Sequence, residues 1–339
     1  MTIKDIARLA GVSHSTVSRS LNDSPLIPPE TRERIKAIAR SKGYEVNAIA
    51  RSLSRGKTSC IALIYPEYFE LPSIRIFFVS LLSHIQHVFE REMIDIMVSF
   101  PKNLHSGASS IQKLARERKI DGMLIVNNEI DADDFICLEE ARIPFVFLHK
   151  HPPEADVAKV DFFCTDHAAG GRLAGERLLA LGRRRLLCVS AIGEEFDART
   201  EGFASALSTA GIGFDTSSIL YGDCSFDFGL EVALRRVIDS RKGPGQGIDG
   251  VFCQTDLMAL GLIQGLGKAG IRVPEDVSVV GYDDIELGSY FSPSLSTVHQ
   301  PLGEIAALAC ERLIELLSGK GAAQPEHRLI APSLVVRES

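Results

Sequence analysis

The residues best equipped for chemistry fall in two parts of the chain. His14, Ser15, Thr16, Ser18, Arg19 and Asn22 lie within the first 22 positions, and every one can hydrogen-bond. Arg19 suits a bidentate contact with guanine in a major groove. Much later come Arg199 and Asp283. An arginine presents a planar fork of donors suited to sugar hydroxyls, carboxylates or phosphates. An aspartate at the carboxyl end of a strand accepts from hydroxyl or ring N–H donors, and in open α/β sheets ligands sit outside those ends.

The first group needs a helix to present it. Thr2 and Asp5 form a capping-box-like pair, and Ile3, Ile6, Ala7 and Ala10 repeat at i, i+3, i+4 and i+7, which is one apolar helix face. Gly11 suits a left-handed turn. Ser13 can cap a second helix whose Val17 and Leu21 face inward, leaving the polar set outward. A third helix starts at Pro28 and Pro29, buries Ile35, Ile38 and Ala39, and stops at Gly43. Two short helices joined through glycine, the second polar, form a helix-turn-helix pattern.

Charge is divided the same way. Residues 1–58 hold 4 Lys and 7 Arg against 2 Asp and 3 Glu, a net of +6. The whole chain is −7, leaving −13 for residues 59–339. A basic head on an acidic body is expected if only the head touches phosphate.

AGVSHSTVSRSLN resembles the helix-turn-helix of the LacI/GalR (lac-repressor-like) family, and the resemblance continues through ETRERI and GYEVNAIARSL to the C-terminus. It implies a transcriptional regulator, most often a repressor, that binds a double-stranded operator as a homodimer under control of a small-molecule effector. It also implies that His14, Ser15 and Arg19 read base edges while Thr16, Ser18 and Asn22 hold phosphates or support the helix. Asn47-Ala-Ile-Ala-Arg-Ser-Leu-Ser resembles the family's hinge helix, with Asn47 as a good N-cap. Two turns of helix are marginal in water. In the family, paired hinge helices enter the minor groove and push the residue matching Leu53 into the central base step, a known wedge device. Without the resemblance, this stretch reads as a linker.

A chain of 339 residues with 45% hydrophobic content has room for a small head and two folded domains. No apolar run approaches transmembrane length, and the N-terminus lacks signal-peptide features, so a cytoplasmic protein is expected. The seven cysteines are scattered without a C-x-x-C pair and read as buried thiols. Apolar runs at 60–65, 94–100, 122–126, 145–148, 186–191, 251–254 and 277–282 alternate with helix-like stretches at 74–91, 107–118, 170–181, 199–210 and 227–240. That alternation implies parallel sheets with helices on both faces, and its length implies two lobes.

With the resemblance, the expected fold is an all-α helix-turn-helix headpiece plus an α/β, two-lobed, periplasmic-binding-protein-like body. The headpiece spans 1–46, a hinge and linker 47–58, and the body 59–339. Lobe 1 takes about 59–163 and 301–329; lobe 2 takes about 164–300 and 330–339, with RLIAPSLVV as a final strand.

Several motif matches fail on context. The two G-x-G-x-x-G strings, at 245–250 and 265–270, neither follow a strand nor open a helix, so no dinucleotide cofactor is implied. His149-Lys-His151 precedes two prolines and reads as a surface loop rather than a metal site. No catalytic set assembles, so neither enzyme activity nor a cofactor or metal is expected.

By resemblance, Arg199 of Arg-Thr-Glu-Gly202-Phe203 matches an R-x-x-G-[FWY] signature whose arginine reaches the cleft between lobes. Asp283 matches a G-[FY]-D segment. Asp256 matches an N-D-x-M-A-x-G segment in which Thr255 replaces the usual Asn, and it can instead cap the next helix. On lobe 1, Phe77 stands in the family's P-F-F position, and Tyr68 or Phe69 offers a ring for stacking on a ligand or for packing. Trp is absent. The effector set is thus Tyr68, Phe69, Phe77, Arg199, Asp256 and Asp283, and the expected ligand is sugar-like. The other class that suits the body alone is a solute-binding protein for uptake; the basic headpiece argues against it.

Overall fold

Local capping starts the headpiece. The Asp5 carboxylate accepts from the N–H and the hydroxyl of Thr2, both at 2.9 Å, which holds its pKa below the usual range. Helix α1 (Ile3–Ala10) follows and ends at Gly11, whose φ of 67° is left-handed. The Ser13 hydroxyl then accepts from the Thr16 N–H at 3.1 Å and opens α2 (His14–Leu21). Helix α3 is Pro29–Ser41. The three bury Ile6, Ala7, Ala10, Val17, Ile35 and Ala39 against one another. A fully buried Ile or Val contributes about 1.5–3 kcal/mol, so this small core rests on few residues.

The computed structural model describes residues 1–44, 56–66, 72–128, 130–150, 159–241, 247–319 and 324–339. Asn47, Leu53, Tyr68 and Phe69 lie outside the described residues. The headpiece and the body are separate compact units.

Two six-stranded sheets make up the body. The first carries β1 (Cys60–Ile64), β2 (Asp95–Ser99), β3 (Gly122–Val126), β4 (Phe145–Leu148) and β5 (Asp161–Thr165) in the order β2-β1-β3-β4-β5. The second repeats that order with β6 (Leu186–Ser190), β7 (Ile219–Tyr221), β8 (Gly250–Cys253), β9 (Ser278–Asp283) and β10 (Ser296–His299) as β7-β6-β8-β9-β10. The expected single final strand is two: β11 (His327–Ile330) pairs parallel to β5, and β12 (Ser333–Val335) pairs antiparallel to β10. Ala331 and Pro332 separate them, and the proline has no N–H to donate to a ladder.

Helices flank both sheets. On the first lie α4 (Pro72–Arg91), α5 (Ser110–Arg116) and α6 (Ala132–Ala141); on the second, α7 (His167–Ala180), α8 (Glu194–Thr209), α9 (Phe226–Val232), α10 (Asp256–Lys268) and α11 (Glu286–Tyr290). Helix α12 (Leu302–Ser318) returns to the first sheet and packs on α4. It is anchored by Arg312, whose Nε donates to Asp161 at 2.7 Å, both side chains being buried. The expected helix 227–240 is α-helical only to Val232 and continues as a π-turn, Ala233–Ile238.

One helix contact sets the position of the candidate ligand arginine. At Gly202 of α8 an added Cβ would stand 1.8 Å from the Ala168 carbonyl oxygen of α7, and at Gly171 of α7 it would stand 1.8 Å from that of Arg199. Only glycine permits this approach, which brings the start of α7 against the middle of α8.

Candidate functional site

On the headpiece, α2 presents two classes of polar side chain. His14, Ser15 and Arg19 are exposed, whereas Thr16, Ser18 and Asn22 are half-buried. Ser13 ties the first turn together through 2.8 Å hydroxyl contacts with Ser15 and Thr16. The Asn22 amide donates to the Ser18 carbonyl at 2.9 Å and so closes the helix end.

In the body, a cleft of about 440 Å³ is lined from both sheets. Its walls come from strand ends: Asn127 follows β3, His149 and Lys150 follow β4, Ala191–Gly193 follow β6, Thr255 follows β8, Asp283 ends β9 and Gln300 follows β10. In both sheets the strand order reverses beside the first strand, and ligand crevices form at such switch points. Four non-glycine lining residues have left-handed backbone: Asn127 (φ 44°), His149 (58°), Cys224 (61°) and Asp283 (113°). Such conformations are uncommon and collect at ligand sites.

Arg199 is buried and lines the cleft. Its Nη1 donates to the Gln254 carbonyl at 2.7 Å, and its Nε to His167 Nδ1 at 3.3 Å. The guanidinium carbon lies 3.9 Å from the Tyr282 ring centre and 4.8 Å from that of Phe196. Asp283 accepts from the Gln300 amide at 2.7 Å. Burial raises its pKa to about 6, against the opposing pull of Arg199 and the Gln300 bond. Gln300 also accepts from the Thr165 hydroxyl at 2.9 Å.

Phe77 lines the cleft, with its ring edge-on to His149 at 4.9 Å. Asp256 does not line it. That side chain is fully buried and accepts from the Thr297 hydroxyl at 2.6 Å and the Ile285 N–H at 2.8 Å, so both oxygens are committed inside the lobe. Thr255, not Asp256, caps α10 through the Met258 N–H, and Thr255 faces the cleft. The surface-loop reading of His149 is also corrected. His149 is only 5% exposed, and neither ring nitrogen has a hydrogen-bond partner among the described residues. Asn127, His149, Lys150, His167 and Gln300 line the cleft beyond the expected set, and the signal for most of them is position just past a strand's last residue.

Burial, with Arg199 nearby, lowers the His149 pKa from 6.5 to about 3. The unfolded chain therefore binds a proton that the folded chain refuses, and this residue's contribution to stability is lost as pH falls below 6.5. Asp283 acts oppositely: its raised pKa adds stability as pH falls from 6 toward 3.8. A single-site comparison separates the two slopes. Relative to wild type, His149→Leu is expected to gain about 2 kcal/mol between pH 7 and pH 5 in urea titrations. An unchanged difference at the two pH values would contradict the buried neutral imidazole.

Among the described residues no group of His, Cys, Asp and Glu could hold a metal ion, and no helix is long and apolar enough to cross a membrane. Residues 2–47 match the family described as bacterial regulatory proteins, lacI family, and residues 176–339 match a periplasmic binding protein-like domain. The chain is 31% identical to the HTH-type transcriptional repressor PurR of Vibrio atlanticus (strain LGP32), over 94% of this chain and 92% of that protein. It is likewise 31% identical to the HTH-type transcriptional regulator CelR of Thermobifida fusca, over 100% and 98%. Among solved structures it is similar to a CelR–cellobiose complex, with TM-score 0.70, 27% identity and coverage of 100% and 99%. It is also similar to a lac repressor dimer bound to operator and the anti-inducer ONPF, with TM-score 0.78, 25% identity and coverage of 100% and 98%.

Proposed function

The chain belongs to the lacI family of bacterial regulatory proteins, and we propose that it binds a pseudo-palindromic operator as a homodimer, gated by a sugar-like effector held between its lobes. It is a DNA-binding transcriptional regulator. The observation that carries the finer reading is that one chain holds an exposed polar recognition helix and a cleft of about 440 Å³ lined by Arg199 and Asp283. Relatives that share the whole length bind operator DNA or cellobiose, as their structures state, and this supports both halves of the proposal. Its work is regulatory rather than enzymatic, and its place is the cytoplasm, where the DNA is.

In this reading His14, Ser15 and Arg19 read bases, because they are exposed, while Thr16, Ser18 and Asn22 stiffen the helix or meet phosphate. One small head offers few base contacts, so two heads on half-sites about one helical turn apart are needed for specificity. On the same reading Asn47 and Leu53 meet DNA, with Leu53 as the minor-groove wedge. Arg19→Ala is expected to cost about 1–3 kcal/mol on the operator and to relax specificity at one base position. Binding titrations on operator and random DNA test this. Equal losses on both would assign Arg19 to phosphate instead.

A further inference from the structure

We propose that Asp121 is a positioning residue for DNA binding. Its carboxylate ties the chain that leads to the head onto the foot of β3, the strand whose other end meets the cleft, and so carries the state of the cleft to the linker. This rests on the reading of the chain as an operator-binding protein with an effector cleft.

The starting observation is a two-pronged bond. Asp121 Oδ1 accepts from the Thr58 N–H at 2.7 Å, and Oδ2 accepts from the Ser59 N–H at 2.8 Å. One carboxylate thus holds two successive main-chain donors, 63 and 62 positions away in sequence. Hydrogen bonds to an ionised acceptor are roughly twice as strong as neutral ones. Ser59 has left-handed backbone, φ 55°, which a non-glycine residue keeps only where its surroundings hold it. The Thr58 hydroxyl bonds locally, accepting from the Cys60 N–H at 3.2 Å. The Asp121 N–H donates back to the Cys60 carbonyl at 2.7 Å. Glu117–Asp121 accordingly group with residues 1–60 in one compact unit.

Two strands leave this point side by side. β1 and β3 run parallel, in register from Ile61 with Gly122 to Ile64 with Ile125. Ile61–Ile64 and all of β3 are buried, so neither strand slides without disturbing the close-packed core. At the far end β3 runs into Asn127, which has left-handed backbone and lines the cleft. There the Asn128 amide donates to the Tyr65 carbonyl, just past β1, at 3.3 Å. The Tyr65 hydroxyl donates to the carbonyl of Phe78, another cleft residue, at 3.1 Å. At the usual rise of a strand, clasp and cleft stand about 20 Å apart, joined by a packed ladder rather than a loop. Movement of this wall of the cleft therefore moves the point at which the linker is tied. Without the carboxylate the chain is held only from Cys60 onward. The DNA-bound state must then order two residues per chain that Asp121 holds in advance.

The test uses the full chain and hydrogen exchange read by mass spectrometry. The probe is the duplex that wild type prefers after selection from genomic fragments. Binding and coupling are reciprocal, so DNA on the head must be felt in the cleft. In wild type the duplex is expected to change exchange about fivefold or more in peptides 58–64, 122–128 and 147–150. Asp121→Ala is expected to melt within about 5 °C of wild type. In that variant the duplex still protects the head, binds about 10-fold or more weaker, and leaves the two cleft peptides unchanged. Asp121→Asn keeps one acceptor and is expected to fall between the two. It carries the same test should Asp121→Ala fail to fold. A cleft response of wild-type size in Asp121→Ala, or in Asp121→Asn where that variant stands in, overturns the proposal and leaves the operator reading standing. A wild-type cleft that ignores the duplex removes the coupling and the proposal together. Failure to recover any preferred duplex overturns the operator reading itself.

Discussion

An Arg199→Ala variant is expected to lose effector affinity by about 100-fold or more. The reason is a double loss at one point. The guanidinium is clamped by the Gln254 carbonyl and the rings of Phe196 and Tyr282, so it is presented to a ligand already oriented. It also opposes the burial that raises the Asp283 pKa to about 6. Without it Asp283 takes up a proton nearer neutrality and ceases to be a pure acceptor. Lysine should not rescue, since an ammonium lacks the planar fork that stacks between two rings. If effector releases DNA, the variant stays bound at all effector concentrations; if effector promotes binding, it never binds tightly. Either follows from ligand having unequal affinity for two arrangements of the lobes. Calorimetry against any ligand that wild type binds checks the prediction, and unchanged affinity in Arg199→Ala would remove Arg199 from the site.

The second large effect belongs to Gly202. A methyl there would overlap the Ala168 carbonyl, at 1.8 Å, and that oxygen is main chain and cannot swing aside. Helices α7 and α8 must then move apart, opening the contact that buries Phe203 and positions Arg199. Overpacking of this kind costs about 1–3 kcal/mol or more, so Gly202→Ala should lower the stability of the body by at least that amount and weaken effector binding with it. Gly213→Ala is the matched control, because no atom lies within 4 Å of its added Cβ. Urea denaturation of both variants reads the difference. Equal stability would mean that the helix pair yields at little cost.

These effects also show where the sequence is legible. The headpiece is readable because its signals are local: Thr2 with Asp5, Gly11, Ser13 and a four-residue apolar repeat act within one or two turns. Strands with continuous apolar runs, such as Gly122–Val126 and Leu186–Ser190, announce themselves. Asp161–Thr165 does not, since it begins on a carboxylate committed to Arg312, 151 positions away. Ile219–Tyr221 is only three residues long. Arg199 and Asp283 stand out because they sit in family-like strings. Asp256 reads from sequence as a ligand contact or a helix cap because its partners, Thr297 and Ile285, come from distant segments. His149 and Gln300 are single polar residues after strands, and only three-dimensional neighbours distinguish them from loop residues.

The central claim is that one chain couples specific DNA binding to ligand in the cleft, and fluorescence anisotropy on the full chain tests it most directly. Fragments recovered by genomic selection would be titrated against wild type and Arg199→Ala, with and without a ligand found by thermal shift. The account predicts a pseudo-palindromic site bound about 1,000-fold or more tighter than random DNA. It predicts that ligand changes that affinity at least about fivefold in wild type and not in Arg199→Ala. Binding that shows no preference for any sequence, or an operator affinity that ligand shifts equally in both proteins, would contradict it.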